Sequence, residues 1–182
     1  MINRIKYGDS MESIPRKYDR RYVPSPQRFA RVMELLQKNQ DEMVTVVQQV
    51  ATLKSELNEA DDPTLLFRLG SYFYEYYLMV EDILLAVAAL TDQWVPGSLD
   101  WHERLLKLLK KPVEEARPPV LSTNTAELLE DYLYFYLFFH KHCSSLSSSK
   151  VKMLSDNLEK THNRVINDLS KFYRVLKILN KS

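Results

Sequence analysis

The residues best equipped for chemistry stand side by side at His140-Lys141-His142-Cys143. An imidazole can accept a proton, and a cysteine thiolate can attack an electrophile. His140 and His142 are two positions apart, so on a helix they point to different sides and cannot bind one metal ion together. A nucleophilic Cys143 beside His142 would need a third residue to orient the pair, and none is identifiable. A plain buried thiol is therefore favoured over a nucleophile. The sequence therefore predicts neither a metal site nor a cofactor.

These residues close the most apolar stretch of the chain, which runs from 128 to 140 and has Glu130 and Asp131 as its charged residues. Its centre, 132–139, reads YLYFYLFF and is apolar on every side, so a helix here is expected to be buried nearly all round. The stretch is shorter than the roughly 20 apolar residues that span a bilayer. It predicts a central helix in a soluble bundle, where another subunit covers part of this helix or of the aromatic second helix.

The composition fits one soluble domain with a sizeable core: 182 residues, 45% hydrophobic and 27% charged, with a formal net charge of +1. Three glycines exclude a glycine-rich phosphate loop, and a single cysteine excludes an internal disulfide. The first 28 residues and the segment after Lys150 are basic. A loose tail and a solvated helix face explain these runs better than a nucleic-acid footprint does. The charged N-terminus lacks a signal peptide's apolar region, so a cytoplasmic protein is predicted.

Two predicted helix starts contain a proline, and the first of them marks the beginning of the helical domain. Residues 1–25 lack an apolar period and are predicted to form an extended basic arm, whereas 26–182 form a single helical domain. Ser25-Pro26 and Asp62-Pro63 each combine a capping side chain with proline at the first helical position. The first helix carries an apolar seam with one polar step, Asn39, which is expected to fix register against a neighbouring helix.

Further along, the second helix is predicted to run to about Trp94, and a short third helix begins at Asp100. Ser122 or Thr123 caps the fourth helix, and 151–179 form the last one. Four long helices and a short one predict an all-α fold, an up-and-down antiparallel four-helix bundle with the short helix in one crossover. An irregular all-α array is the alternative.

Several features occur in an order that resembles HepT-like proteins of the HEPN superfamily, over about residues 65 to 155. They are Tyr77 and Glu81 in the second helix, the turn Pro96-Gly97-Ser98, Trp101-His102 before Leu105-Leu106, Arg117-Pro118 before Ser122, and the aromatic helix that ends in His142. The resemblance implies an all-α homodimer with a metal-independent endoribonuclease site. Its motif is an Arg, four to six other residues, a His, and often a Tyr two positions further on. It also implies a toxin that pairs with a minimal nucleotidyltransferase antitoxin.

The chain departs from this motif at its cation. In the motif the His takes the ribose hydroxyl proton, and the Arg binds the phosphate that gains charge. For a final His at His142, the Arg belongs at position 135, 136 or 137, where this chain has Phe135, Tyr136 and Leu137. The other three histidines have no Arg at that spacing either, and Ser144 stands in the place of the Tyr. The sequence therefore favours a dimeric interaction module over a nuclease.

The alternative is an endoribonuclease that uses His142 as general base. Lys141, or a distant arginine such as Arg117, would then bind the phosphate, although lysine lacks the bidentate fork of arginine. The resemblance places Glu81 near the family's active face, but a role as partner of a basic residue on a neighbouring helix is favoured. Arg117, Glu81 and Tyr77 remain candidate binding residues. The candidate partners are a second copy of the chain, a nucleotidyltransferase-type antitoxin and RNA.

Overall fold

The chain folds into helices, and the predicted all-α class is confirmed. A computed structural model describes residues 25–58, 62–93, 96–114, 117–143 and 145–179. Within these ranges the helices are α1 (Pro26–Lys54), α2 (Pro63–Thr91), α3 (Trp101–Leu109), α4 (Thr123–His142) and α5 (Ser148–Leu179), with a 3-10 turn at Ser55–Asn58. The predicted basic arm lies outside the described residues, apart from Ser25. No described helix is long and apolar enough to cross a membrane.

The helix starts follow the capping chemistry that the sequence predicts. Ser25 accepts a hydrogen bond on Oγ from the backbone N–H of Arg28 at 3.3 Å, and Asp62 accepts one from Thr64 at 2.9 Å. Each is followed by proline at the first helical position. Of the two candidate caps for α4, Ser122 is the one used. These side chains satisfy N–H groups that have no partner inside the helix.

Each long helix runs opposite to the two long helices that it contacts most, whereas α2 and α5, which also touch each other, run in the same direction. α1 packs on α2 and α5, and α4 also packs on α2 and α5. Near the start of α1, Phe29 stacks on Tyr173 near the end of α5, whereas Lys54 at the other end of α1 pairs with Asp156 near the start of α5. The same reversed order holds for the remaining pairs: Asn39 with Met79, Arg28 near Leu90, Phe67 with Phe139, Tyr76 with Tyr132, Asp131 with Lys150, and Ser122 with Asp168.

Asn39 performs the role expected of the polar step in the α1 seam. Its Nδ2 donates to the backbone carbonyl of Met79 on α2 at 3.1 Å, and the residue is buried. A buried amide that has one partner on the neighbouring helix penalises any shift of the two helices along each other.

The second helix ends earlier than predicted, at Thr91, and Trp94 lies outside the described residues. The N–H of Asp92 still bonds to Ala88, but Gln93 adopts a positive φ of 50°. That left-handed conformation stops the α-helical pattern. The carboxylate of Asp92 is bound by Arg117, so a tertiary contact fixes the end of α2.

The prediction that α4 is buried nearly all round is wrong for the single chain. Tyr134, Leu137 and Phe138 are 52%, 37% and 42% exposed. They lie three and four positions apart, so they share one side of the helix, which we name the α4 stripe. α2, α3 and α5 pack on α4, and none of them covers this side.

Candidate functional site

The end of α4 presents its polar residues to solvent. His140, Lys141, His142 and Cys143 are all exposed, and the ring of His142 lies 5.0 Å from that of Phe138. The prediction of a buried thiol at Cys143 is wrong, because Cys143 is exposed, as are the three residues before it. Ser144, which stands at the position of the family's Tyr, lies outside the described residues.

Arg117 is engaged inside the protein. It is 1% exposed, and its Nε donates to both oxygens of Asp92 at 2.9 and 3.0 Å. Its other two nitrogens donate to the carbonyls of Leu108, Lys111 and Pro118. A guanidinium with this geometry joins the ends of α2 and α3 to the segment that leads into α4.

Arg117 also lies far from His142, the general base beside which it would have to bind phosphate. Arg117 precedes the first turn of α4, whereas Lys141 and His142 occupy the last turn. A 20-residue helix is about 30 Å long. The structure therefore brings Lys141 and His142 together but leaves Arg117 at the opposite end of α4.

Glu81 meets His102 where α2 and α3 pack together. Its Oε1 lies 2.6 Å from Nδ1 of His102, and Glu81 is 3% exposed. Burial raises the pKa of Glu81, and the hydrogen bond from His102 partly offsets this shift. The ring of Trp101 stacks on His102 at 3.7 Å. The basic partner that the sequence predicts for Glu81 on a neighbouring helix is therefore this histidine.

Two tyrosines complete this cluster. Tyr77 is fully buried, which raises its pKa, and the nearby charge of Glu81 raises it further. Its hydroxyl reaches no described partner in hydrogen-bond geometry. Tyr136 of α4 lies 5.3 Å from Tyr77 and 5.7 Å from His102 between ring centroids. Burial, followed by the charge of Glu81, raises the pKa of Tyr136 to about 12. We name Tyr77, Glu81, His102 and Tyr136 the α2–α4 cluster.

The α2–α4 cluster can orient a histidine, because a carboxylate on Nδ1 fixes the ring and leaves Nε2 for proton transfer. In the described ranges, however, no Arg or Lys forms an ion pair or hydrogen bond with its four side chains. Tyr136 precedes His142 by six residues, roughly 9 Å along the helix axis. The cluster therefore adjoins the exposed end of α4 but brings no cation to it.

His102 is the residue that the sequence interpretation missed. It packs on Trp101 at the start of α3, where Asp100 is the cap residue. No helical spacing connects positions 81 and 102, because a turn separates them. Two signals were available in the sequence: the acidic Glu81 on the apolar face of α2, and Trp101-His102 among the features of the family resemblance.

Another histidine, His162 of α5, lies apart from the site in the core. It is fully buried, neither ring nitrogen has a hydrogen-bond partner among the described residues, and its ring packs 6.0 Å from that of Tyr76. Burial lowers its pKa to about 4, so it is neutral at pH 7. A neutral imidazole here fills space in the core.

The protein is a bundle of helices whose fourth helix is aromatic and ends in histidines. Comparison with known protein families assigns this bundle to one of them. A family model described as "HepT-like protein" matches residues 68–176, more than half of the chain. The protein therefore belongs to the HepT-like family of the HEPN superfamily. The match continues through most of α5, further than the resemblance over about 65 to 155. No curated protein and no solved structure matches the chain.

Proposed function

We propose that this protein is a HepT-like module that forms a homodimer through α4 and acts by binding a partner rather than by cutting RNA. The observation that carries the proposal is the α4 stripe of Tyr134, Leu137 and Phe138, three large side chains on one side of one helix. Single exposed apolar residues are ordinary, but a group of this kind is typical of an interface. A second copy with the same stripe would provide a self-complementary surface.

The same stripe supports the loss of nuclease activity. Leu137 occupies one of the positions where the motif requires its Arg, and its side chain is part of the apolar surface. Lys141 and His142 remain accessible, but Arg117 is held by Asp92. Loss of an electrostatic stabiliser of this type lowers a rate by about 100- to 1000-fold.

Sedimentation tests the dimer. We expect a dimer at micromolar concentration for the native chain and a monomer for Leu137→Asp, because a carboxylate at the centre of the interface would be desolvated without a partner. Leu99→Asp is the matched control, since Leu99 is fully exposed and belongs to a loop outside the α4 stripe. A native chain that sediments as a monomer, or a dimer that survives Leu137→Asp, contradicts the proposal.

RNA cleavage in a chelator tests the activity. We expect none from the native chain, and we expect the dimeric fraction of Leu137→Arg to cleave RNA, because this variant restores an Arg with four residues between it and His142. Adding His142→Ala to that variant should abolish the cleavage again. If the native chain cleaves RNA and His142→Ala removes that activity, the nuclease alternative with Lys141 as cation is correct.

The partner proposed first is a minimal nucleotidyltransferase, as in the toxin–antitoxin pairs that the family resemblance implies, and RNA is the second candidate. Co-expression of the chain with a nucleotidyltransferase encoded beside it tests the first. We expect the two to co-purify, and a helical module that purifies alone under these conditions contradicts this choice of partner.

A further inference from the structure

A groove of about 590 Å³ opens between the start of α1 and the end of α2, away from the α4 stripe. Arg28, Arg31 and Val32 line it from α1, and Ala86, Ala89, Leu90 and Gln93 line it from α2. Its α1 wall lies before residue 68, outside the part of the chain that matches the family. The groove therefore includes a surface that family membership alone does not explain.

The described lining residues of the groove include two arginines and no acidic residue. Arg28 and Arg31 are exposed, and neither forms an ion pair within the described ranges. They occupy the first and second turns of α1, and the first turn contains no acid. The helix dipole disfavours a cation in the first turn, where Arg28 lies. An anionic ligand in the groove would offset that cost.

The floor of the groove selects among anions. Ala86 and Ala89 lie three positions apart on α2, and their short side chains allow the backbone of another helix to approach closely. No aromatic residue is among the described lining residues, so this part of the groove offers nucleobases no aromatic ring on which to stack. The two arginines are also three positions apart, a spacing that matches acids on consecutive turns of a helix.

The N-terminal arm of the chain itself is a poor match for the groove. Residues 1–24 carry six Lys and Arg against three Asp and Glu. A segment with this positive balance is repelled by Arg28 and Arg31. It would instead add to the attraction for an acidic partner.

We propose that the groove between α1 and α2 binds an acidic amphipathic helix of a partner protein. Aliphatic side chains of that helix would pack on Ala86 and Ala89, and its carboxylates would pair with Arg28 and Arg31. None of its described lining residues belongs to the α4 stripe or to the end of α4.

Selection from a displayed library of 18-residue helical peptides on the full-length protein tests this proposal. We expect enrichment of peptides with Asp or Glu three or four positions apart beside a row of aliphatic residues. The double variant Arg28→Glu, Arg31→Glu should not enrich them. Enrichment of basic peptides, or the same acidic peptides on both proteins, overturns the proposal.

Fluorescence anisotropy with the best peptide then locates the site. Each single charge reversal should weaken binding about tenfold, and more at low salt than at high salt. Ala89→Trp, at an exposed position on the floor, should also weaken it, whereas Arg164→Glu on the exposed face of α5 should not. If Ala89→Trp has no effect, or if a single-stranded RNA binds more tightly and loses affinity in the Arg28 variant, the acidic-helix assignment is wrong. A dimer that dissociates in Arg28→Glu without peptide would show instead that a second copy occupies the groove.

Discussion

The polar groups at the start of α4 have partners within the protein, whereas those at its end are exposed to solvent. At the start, Ser122 caps the helix, its N–H donates to Asp168, and Arg117 is fixed by Asp92. At the end, His140, Lys141, His142 and Cys143 face solvent beside the α4 stripe. Arg117 therefore holds helices together, and the exposed end presents a surface for contact. Arg117 and His142 both belong to the family resemblance, yet the fold places them at opposite ends of α4. Residues that match a family in sequence order therefore form one site only if the fold brings them together.

Removing the buried cation should have the largest effect. Arg117→Ala removes the charged partner of Asp92 and leaves, among the described residues, only the hydroxyl of Thr91 bonded to its carboxylate, and breaking a buried pair costs about 3–5 kcal/mol. We expect urea unfolding at pH 7 to show a loss of this size. Lys141→Ala, at the exposed end, is the control and should change the free energy of unfolding by less than about 0.5 kcal/mol. Similar small effects at both ends would remove the distinction between them.

The pH dependence of stability should show that the core disfavours a protonated His162. Its folded pKa of about 4 lies below the ordinary value of 6.5, so the unfolded chain binds the proton more readily between these values. Its contribution is complete above about pH 6.5 and is lost as pH falls towards 4. The loss approaches about 3 kcal/mol. Urea unfolding across this range should show a flatter profile for His162→Leu than for the native chain, and an identical slope would exclude His162 as the source.

The Glu81–His102 pair should have a smaller effect, because His102 is partly accessible to water. His102→Ala leaves a buried carboxylate unpaired and is expected to cost about 1–3 kcal/mol. In a double-mutant cycle with Glu81→Gln, the two losses should not add, since both variants remove the same contact. Additive losses would mean that each residue is stabilised by other neighbours.

Local patterns in the sequence predicted much of the fold. Ser25 and Asp62 cap helices as predicted, and Ser122 is one of the two caps predicted for α4, because capping depends on residues three or fewer positions away. Asn39 was predicted correctly because it interrupts a regular apolar seam. The end of α2 was predicted too late, since Gln93 and the contact between Asp92 and Arg117 stop it, and no local residue pattern signals that contact.

The candidate site was less predictable. The sequence alone determined the family, the class of fold, and the absence of Arg at positions 135, 136 and 137, because these depend on residue identity and on short periodic spacing. The tertiary structure decided that Arg117 binds Asp92, that Glu81 binds His102, and that Tyr134, Leu137 and Phe138 remain exposed. Those outcomes depend on how the helices pack against one another. The sequence of an apolar helix is the same whether a given side of the helix contacts a neighbouring helix or water.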